Sequence, residues 1–160
     1  METIEELARI LVQNKLTVGT AESCTGGRIA NIITSYAGSS AYFKGGIVSY
    51  CNEVKRQVLG VSGSDLEQFG AVSQTVVEQM AEGAIRILGC DCAVATSGIA
   101  GPGGAVPGKP VGTVWIAAAF HGKVISECCH FSENRIGNIE KSAREALALL
   151  TGLLREAGIH

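Results

Sequence analysis

Along the chain, apolar positions recur with a helical period in some stretches and crowd into short β-favouring runs in others. Residues 3–14 read as an amphipathic helix, with Ile4, Leu7, Ala8 and Leu11 on one face and Thr3 with Glu6 as a capping box. A strand over 17–22 follows, then a helix from about 24 to 34 carrying Ile29, Ile32 and Ile33. Residues 41–50 read as a strand in which Gly45-Gly46 marks a bulge or a point of close approach. Asn52 reads as the N-cap of a short helix over 53–59 that ends at Gly60, and a longer helix starts at Ser73 and runs to Leu88. Residues 91–97 form an apolar run of the fully buried strand type. Strands over 112–120 and 123–131 pair as a hairpin turning at His121-Gly122, and a final helix over 137–156 stacks Ile139, Ala143, Ala146, Leu147, Leu150, Leu153 and Leu154. This order predicts an α/β fold: a single domain over 1–160 with a mixed sheet flanked by helices.

Two glycine-bearing segments interrupt the pattern. In Thr20-Ala-Glu-Ser-Cys-Thr-Gly-Gly27 a strand ends at Ser23 and a small-residue turn opens the next helix. Ser23 would then stand at a strand's carboxyl end, facing the unpaired N–H groups of the following helical turn. A hydroxyl beside backbone donors suits acyl transfer, with Ser23 as nucleophile and the amides of Thr25, Gly26 and Gly27 holding an oxyanion or a phosphate. Ser23 or Thr25 as a plain helix N-cap accounts for the same residues, and the local sequence alone favours it. The second segment, Gly98–Gly112, holds six glycines and all three prolines of the chain. Pro102, Pro107 and Pro110 limit its freedom, so it reads as a shaped wall. If the strands at 17–22 and 91–97 are parallel, Ser23 and this loop meet at one carboxyl edge, where open α/β sheets bind ligands.

Composition narrows the chemistry. Glycine makes up 21 of 160 residues, about twice the usual ~7%, as expected of loops that a ligand approaches closely. The formal charge of −2 comes with no basic stripe, so nucleic acid is not an expected partner. No apolar run is long enough for a membrane span and no signal peptide precedes the first helix, so a cytoplasmic protein is expected. The six cysteines form no CxxC pair and read as buried free thiols; Cys90 and Cys92 in a strand would share a face, whereas Cys128 and Cys129 would not. Only Cys24, at a helix start, has a position that would lower a thiol pKa, which makes it a minor alternative nucleophile. No metal-ligand spacing accompanies the scattered carboxylates, and neither metal nor cofactor is expected.

None of the three histidines sits in a setting that suggests a Ser-His-Asp triad. Lys55 is the more plausible base for Ser23. It falls in the first turn of its helix, where the macrodipole favours the neutral amine, and Tyr50 at the preceding strand end would orient it or relay a proton. Arg135, just before the last helix, would project toward a ligand.

Four ordered motifs, TAESCTGG at 20–27, GGIVSYCNEVKRQVLGV at 45–61, GAVS at 70–73 and SGIAGPGG…KPVGTVWIA at 97–117, resemble the CinA C-terminal-domain family over essentially the whole chain. That family includes stand-alone nicotinamide-nucleotide amidases. The resemblance implies an α/β fold, no metal cofactor, a homo-oligomer, and hydrolysis of nicotinamide mononucleotide to nicotinic acid mononucleotide and ammonia. It maps the family serine onto Ser23, the tyrosine onto Tyr50, the lysine onto Lys55 and the arginine onto Arg135. The loop with Ser97, Gly98, Ala100 and Gly101 would close over the ribose and phosphate. Ala105 stands where many relatives have a third glycine, and Glu140 stands near a position that is often basic. The longer members carry an N-terminal molybdopterin-binding-like domain that is not part of these 160 residues. A non-catalytic phosphonucleotide-binding module and an amidase for another substrate are the alternative functions.

Overall fold

The computed structural model describes residues 2–160, with side chains from residue 4 onward, so the capping box at Thr3 lies outside the described residues. In chain order the elements are α1 (Glu2–Gln13), β1 (Val18–Glu22), α2 (Arg28–Ser35), a 3-10 turn (Ser39–Ala41), β2 (Phe43–Val48), α3 (Asn52–Gln57) and α4 (Gly63–Phe69). Then follow α5 (Gln74–Leu88), β3 (Cys92–Gly98), β4 (Thr113–Phe120), β5 (Lys123–His130) and α6 (Arg135–Glu156).

The five strands form one mixed sheet in the order β2-β1-β3-β4-β5. β1 runs parallel to both β2 and β3, and β3, β4 and β5 pair antiparallel. The expected hairpin is present: His121 and Gly122 both have positive φ, 46° and 79°, as a two-residue turn matched to the strand twist requires. The register between β1 and β2 slips after Val18, which faces Phe43 while Gly19 faces Gly45. Lys44 is thus the extra residue of a bulge at the expected place. Next to it Gly46 is a close approach, since a Cβ there would collide with the Thr20 hydroxyl.

Each face of the sheet has its own core. One is filled by α1, α2 and α6, with Leu7, Leu11, Ile29, Ile33, Leu147 and Leu150 closing on Val18, Val94 and Ile116. On the other, Val76, Val77, Met80 and Ala84 of α5 rest on Ala21, Ala93, Ala95, Ala117 and Ala119. Alanines on the sheet let α5 lie close, and Gly83 lets its backbone approach the Leu59 carbonyl. Alternation along β1 therefore sends Ala21 toward α5 and Val18 toward α1, α2 and α6.

Several boundaries differ from the sequence reading. α2 starts at Arg28 rather than 24, because Gly27 at its N-cap holds φ 104° and the preceding residues form turns. α4 is an additional helix; only Leu66 of its seven residues is buried, too little to show a period. Cys90 precedes β3 and packs on the α5 side, whereas Cys92 faces the other core, so the two thiols do not share a face. Cys51 is exposed rather than buried. Among the described residues no helix is long and apolar enough to cross a membrane.

Candidate active site

Ser23 is the first residue beyond β1, and its N–H donates to the Thr96 carbonyl of β3 at 3.0 Å. Both strands run the same way, so Ser23 and the Gly98 loop do meet at one carboxyl edge. Glu22 and Ser23 point to opposite faces, and that alternation divides the labour of the motif.

Ser23 faces α3. Lys55 is 1% exposed, and its Nζ donates to Ser23 Oγ at 3.0 Å and to the Tyr50 carbonyl at 3.2 Å. Among the described residues no carboxylate pairs with it. Burial pushes its pKa below the ordinary lysine value, opposed only by the neighbouring thiols of Cys51 and Cys24. Burial replaces the macrodipole as the cause of the shift, because α3 has six residues and Lys55 stands in its last turn. A neutral amine hydrogen-bonded to a serine hydroxyl is a base beside a nucleophile.

Glu22 faces α2. It is 1% exposed, and its carboxylate accepts from the N–H groups of Ile29 at 2.8 Å and Ala30 at 3.0 Å and from the Thr25 hydroxyl at 2.6 Å. The Thr25 and Thr96 hydroxyls are 2.7 Å apart. A carboxylate only accepts, so Thr25 spends its proton on Glu22 and Thr96 donates to Thr25. The N-terminus of α2 is therefore filled by the protein's own carboxylate, and Ser23 is not its cap. Thr25, Gly26 and Gly27, whose amides the sequence placed against the ligand, are not among the residues that line the cavity. Glu22→Gln would turn an amide N–H₂ toward donors and should lower the unfolding free energy by about 1–3 kcal/mol, measured by denaturant titration. An unchanged midpoint would show that the carboxylate does not hold this turn.

The cavity at the sheet edge measures about 300 Å³. Ser23, Tyr50, Lys55, Ser97, Gly98, Ala100, Gly101 and Arg135, all expected from the sequence, line it together. Arg135 is the first residue of α6 rather than its forerunner; its Nη1 donates to the Gly101 carbonyl at 2.7 Å and its Nη2 to the Tyr50 hydroxyl at 3.3 Å. Asn138 is buried and donates to the Ala100 carbonyl at 3.0 Å, which ties the loop to α6 a second time. The Tyr50 phenol is exposed and turned to Arg135, so its main-chain carbonyl, not its ring, orients Lys55. Sequence reasoning missed Asn52, Ala71 and Val72 as lining residues. Cys51 takes the N-cap position of α3, which frees Asn52 as the first helical residue. Cys24 is no thiolate: burial pushes its pKa up to about 12.

Residues 1–154 match the CinA C-terminal domain. The chain belongs to that family. A CinA-like protein of Leptospira borgpetersenii serovar Hardjo-bovis is 54% identical over 114 residues, 71% of this chain and 27% of its own length. Another, from Amoebophilus asiaticus, is 43% identical over 150 residues, 93% and 36% of the two chains. The chain thus spans about a quarter to a third of these relatives. Crystal structures of similar size agree with the fold. Competence damage-inducible protein A (ComA) of Klebsiella pneumoniae superposes with a TM-score of 0.93 at 38% identity, over 96% of both chains. The competence/damage inducible protein CihA of Agrobacterium tumefaciens gives 0.88 at 43% identity, over 94% of this chain and 95% of the other.

Both departures noted from the CinA pattern have a local account. Ala105 does not have positive φ, so that point of the loop does not require glycine. Glu140 accepts from Arg28 at 2.6 Å and from Arg144, which clamps α2 to α6 and holds its carboxyl below the usual range.

Proposed function

We propose that this chain hydrolyses the carboxamide of nicotinamide mononucleotide to nicotinic acid mononucleotide and ammonia, with Ser23 as nucleophile and Lys55 as general base. The observation that carries the chemistry is the Lys55 Nζ at 3.0 Å from Ser23 Oγ, buried and without a carboxylate partner. A non-catalytic nucleotide module does not require a desolvated lysine against a serine, and this arrangement supports the catalytic reading. The choice of substrate is supported by CinA-family membership, which includes amidases of this kind, and by the arginine and glycine loop at the cavity mouth.

Ser23 Oγ attacks the carboxamide carbon while its proton moves to Lys55. The tetrahedral intermediate collapses when the Lys55 ammonium returns that proton to the nitrogen, which leaves as ammonia. Water, deprotonated by the same amine, then releases the acyl group. The Tyr50 carbonyl holds Nζ in line throughout. Purified protein incubated with nicotinamide mononucleotide should release ammonia in step with the acid product. A panel of other amides that reacts faster, or no ammonia at all, would overturn this assignment.

Arg135 would anchor the phosphate at the mouth. Arg135→Ala should raise KM for the nucleotide by about 10- to 100-fold with a smaller change in kcat, the loss of one charge-assisted contact made equally in ground and transition states. Turnover of nicotinamide riboside, which lacks the phosphate, should barely change. Equal losses on both substrates would mean that Arg135 serves only to brace the Gly101 carbonyl and Tyr50.

A further inference from the structure

We propose that Ser97 is a further catalytic residue, whose hydroxyl donates a hydrogen bond to the oxyanion formed on the scissile carboxamide. The proposal rests on the Ser23–Lys55 chemistry above. It starts from a shortage. The helix N-terminus beside Ser23, the obvious source of donors, is filled by Glu22. Gly26 N–H is also committed, to the Ser23 carbonyl at 3.1 Å. The N–H groups of Cys24, Thr25 and Gly27 have no backbone partner among the described residues, but of these three only Cys24, directly after the nucleophile, lines the cavity. One donor is a weak cradle for a full negative charge, and such sites draw on two or more.

Ser97 supplies the second by position. Glu22 pairs with Thr96 in the parallel register of β1 and β3, so one step further Ser23 lies across from Ser97. Two residues back, Ala21 and Ala95 occupy the α5 side of the sheet, and Ser23 and Ser97 continue that face. Ser97 is 1% exposed as a residue, lines the cavity, and makes no side-chain hydrogen bond to another of the described residues. The adjacent Thr96 hydroxyl is committed to Thr25. With no partner among the described residues and a place on the cavity wall, the Ser97 hydroxyl is free to donate to a bound substrate. Its backbone pairs with Trp115 of β4, and the Ser23 N–H donates to the carbonyl of the adjacent Thr96, so the donor is held in place before substrate arrives.

The step balances without Ser97 giving up its proton. As the Ser23 Oγ–carbon bond forms, the carbonyl π pair moves to oxygen, and the Ser23 proton goes to Lys55. Ser97 donates a hydrogen bond to that oxygen until the C–N bond breaks and the carbonyl reforms.

The test combines kinetics with pyridine-3-boronic acid, which forms a tetrahedral adduct on a serine and requires no turnover. Wild type should bind it with the boron-11 shift of a tetrahedral centre, and Ser23→Ala should not. Ser97→Ala should bind it about 10- to 100-fold more weakly by calorimetry, while its affinity for nicotinic acid mononucleotide stays within about twofold. On nicotinamide mononucleotide its kcat should fall about 100- to 1000-fold with little change in KM, the loss expected for one oxyanion donor. The pH limb set by Lys55 should not move, which a merely structural defect near the lysine would not allow. Wild-type boronate affinity or wild-type kcat in Ser97→Ala overturns the role of Ser97 and leaves the nucleophile standing. Absence of a Ser23 adduct in wild type overturns the nucleophile, and the Ser97 assignment with it.

Discussion

Ser23→Ala is expected to lower kcat by about four orders of magnitude or more while the protein remains folded and binds its nucleotide. Among the described residues, Ser23 is the only one that lines the cavity and hydrogen-bonds the buried lysine through its side chain. Removing it leaves Lys55 with the Tyr50 carbonyl as acceptor, so the lysine stays in place with nothing to activate. The neighbouring thiol cannot take over, because burial keeps Cys24 protonated at any pH near neutrality. Initial rates of ammonia release, with circular dichroism and calorimetry of product binding as controls, decide the matter. A kcat within tenfold of wild type would show that the reaction does not pass through an acyl-Ser23 intermediate, and an activated water on Lys55 would replace it.

What could be read from the sequence here was whatever depends on period and punctuation. Alternating apolar runs, a two-residue hairpin turn and glycines at a bulge specify strands and their ends, and strand ends place Ser23 and the Ser97–Gly101 loop on one edge. The interval from Tyr50 to Lys55 suffices to turn both back toward that edge. Hidden from it were the properties that only packing confers. Glu22 looks like an ordinary strand carboxylate until α2 lies against it, and it then consumes the helix N-terminus that the sequence had offered to the ligand. The same holds for Lys55, whose first-turn position suggested a dipole effect although the dominant cause is burial by elements distant in sequence. Tyr50 shows a third limit: a motif names the residue, but not whether its ring or its carbonyl does the positioning. Ser97 is of the same kind, since its place on the cavity wall beside Ser23 is set by the parallel register of β1 and β3.

Lys55→Arg should be almost as damaging as Lys55→Met, with kcat lower by about three orders of magnitude in each, although arginine keeps the positive charge. A general base must give up its own proton before it can take the one on Ser23, and a guanidinium does not do so at any working pH. An electrostatic role would give the opposite ranking, with arginine retaining most of the rate and methionine little. The pH profile supplies the second arm. Burial lowers the Lys55 pKa, so the neutral, reactive form is reached below the ~10.4 of a free lysine side chain. In wild type, kcat/KM should therefore climb about tenfold per pH unit below that pKa and level off above it, reporting an ionisation of the free enzyme. In both variants this limb should disappear, leaving a residual rate that does not follow it. Arginine is bulkier than the space that holds Lys55 at 1% exposure, so unfolding midpoints and product affinity must accompany the rates. If Lys55→Arg folds, binds product and turns over within tenfold of wild type on an unchanged pH limb, Lys55 is not the base. Tyr50, whose hydroxyl lies against Arg135 at the mouth of the same cavity, then becomes the leading candidate for the base.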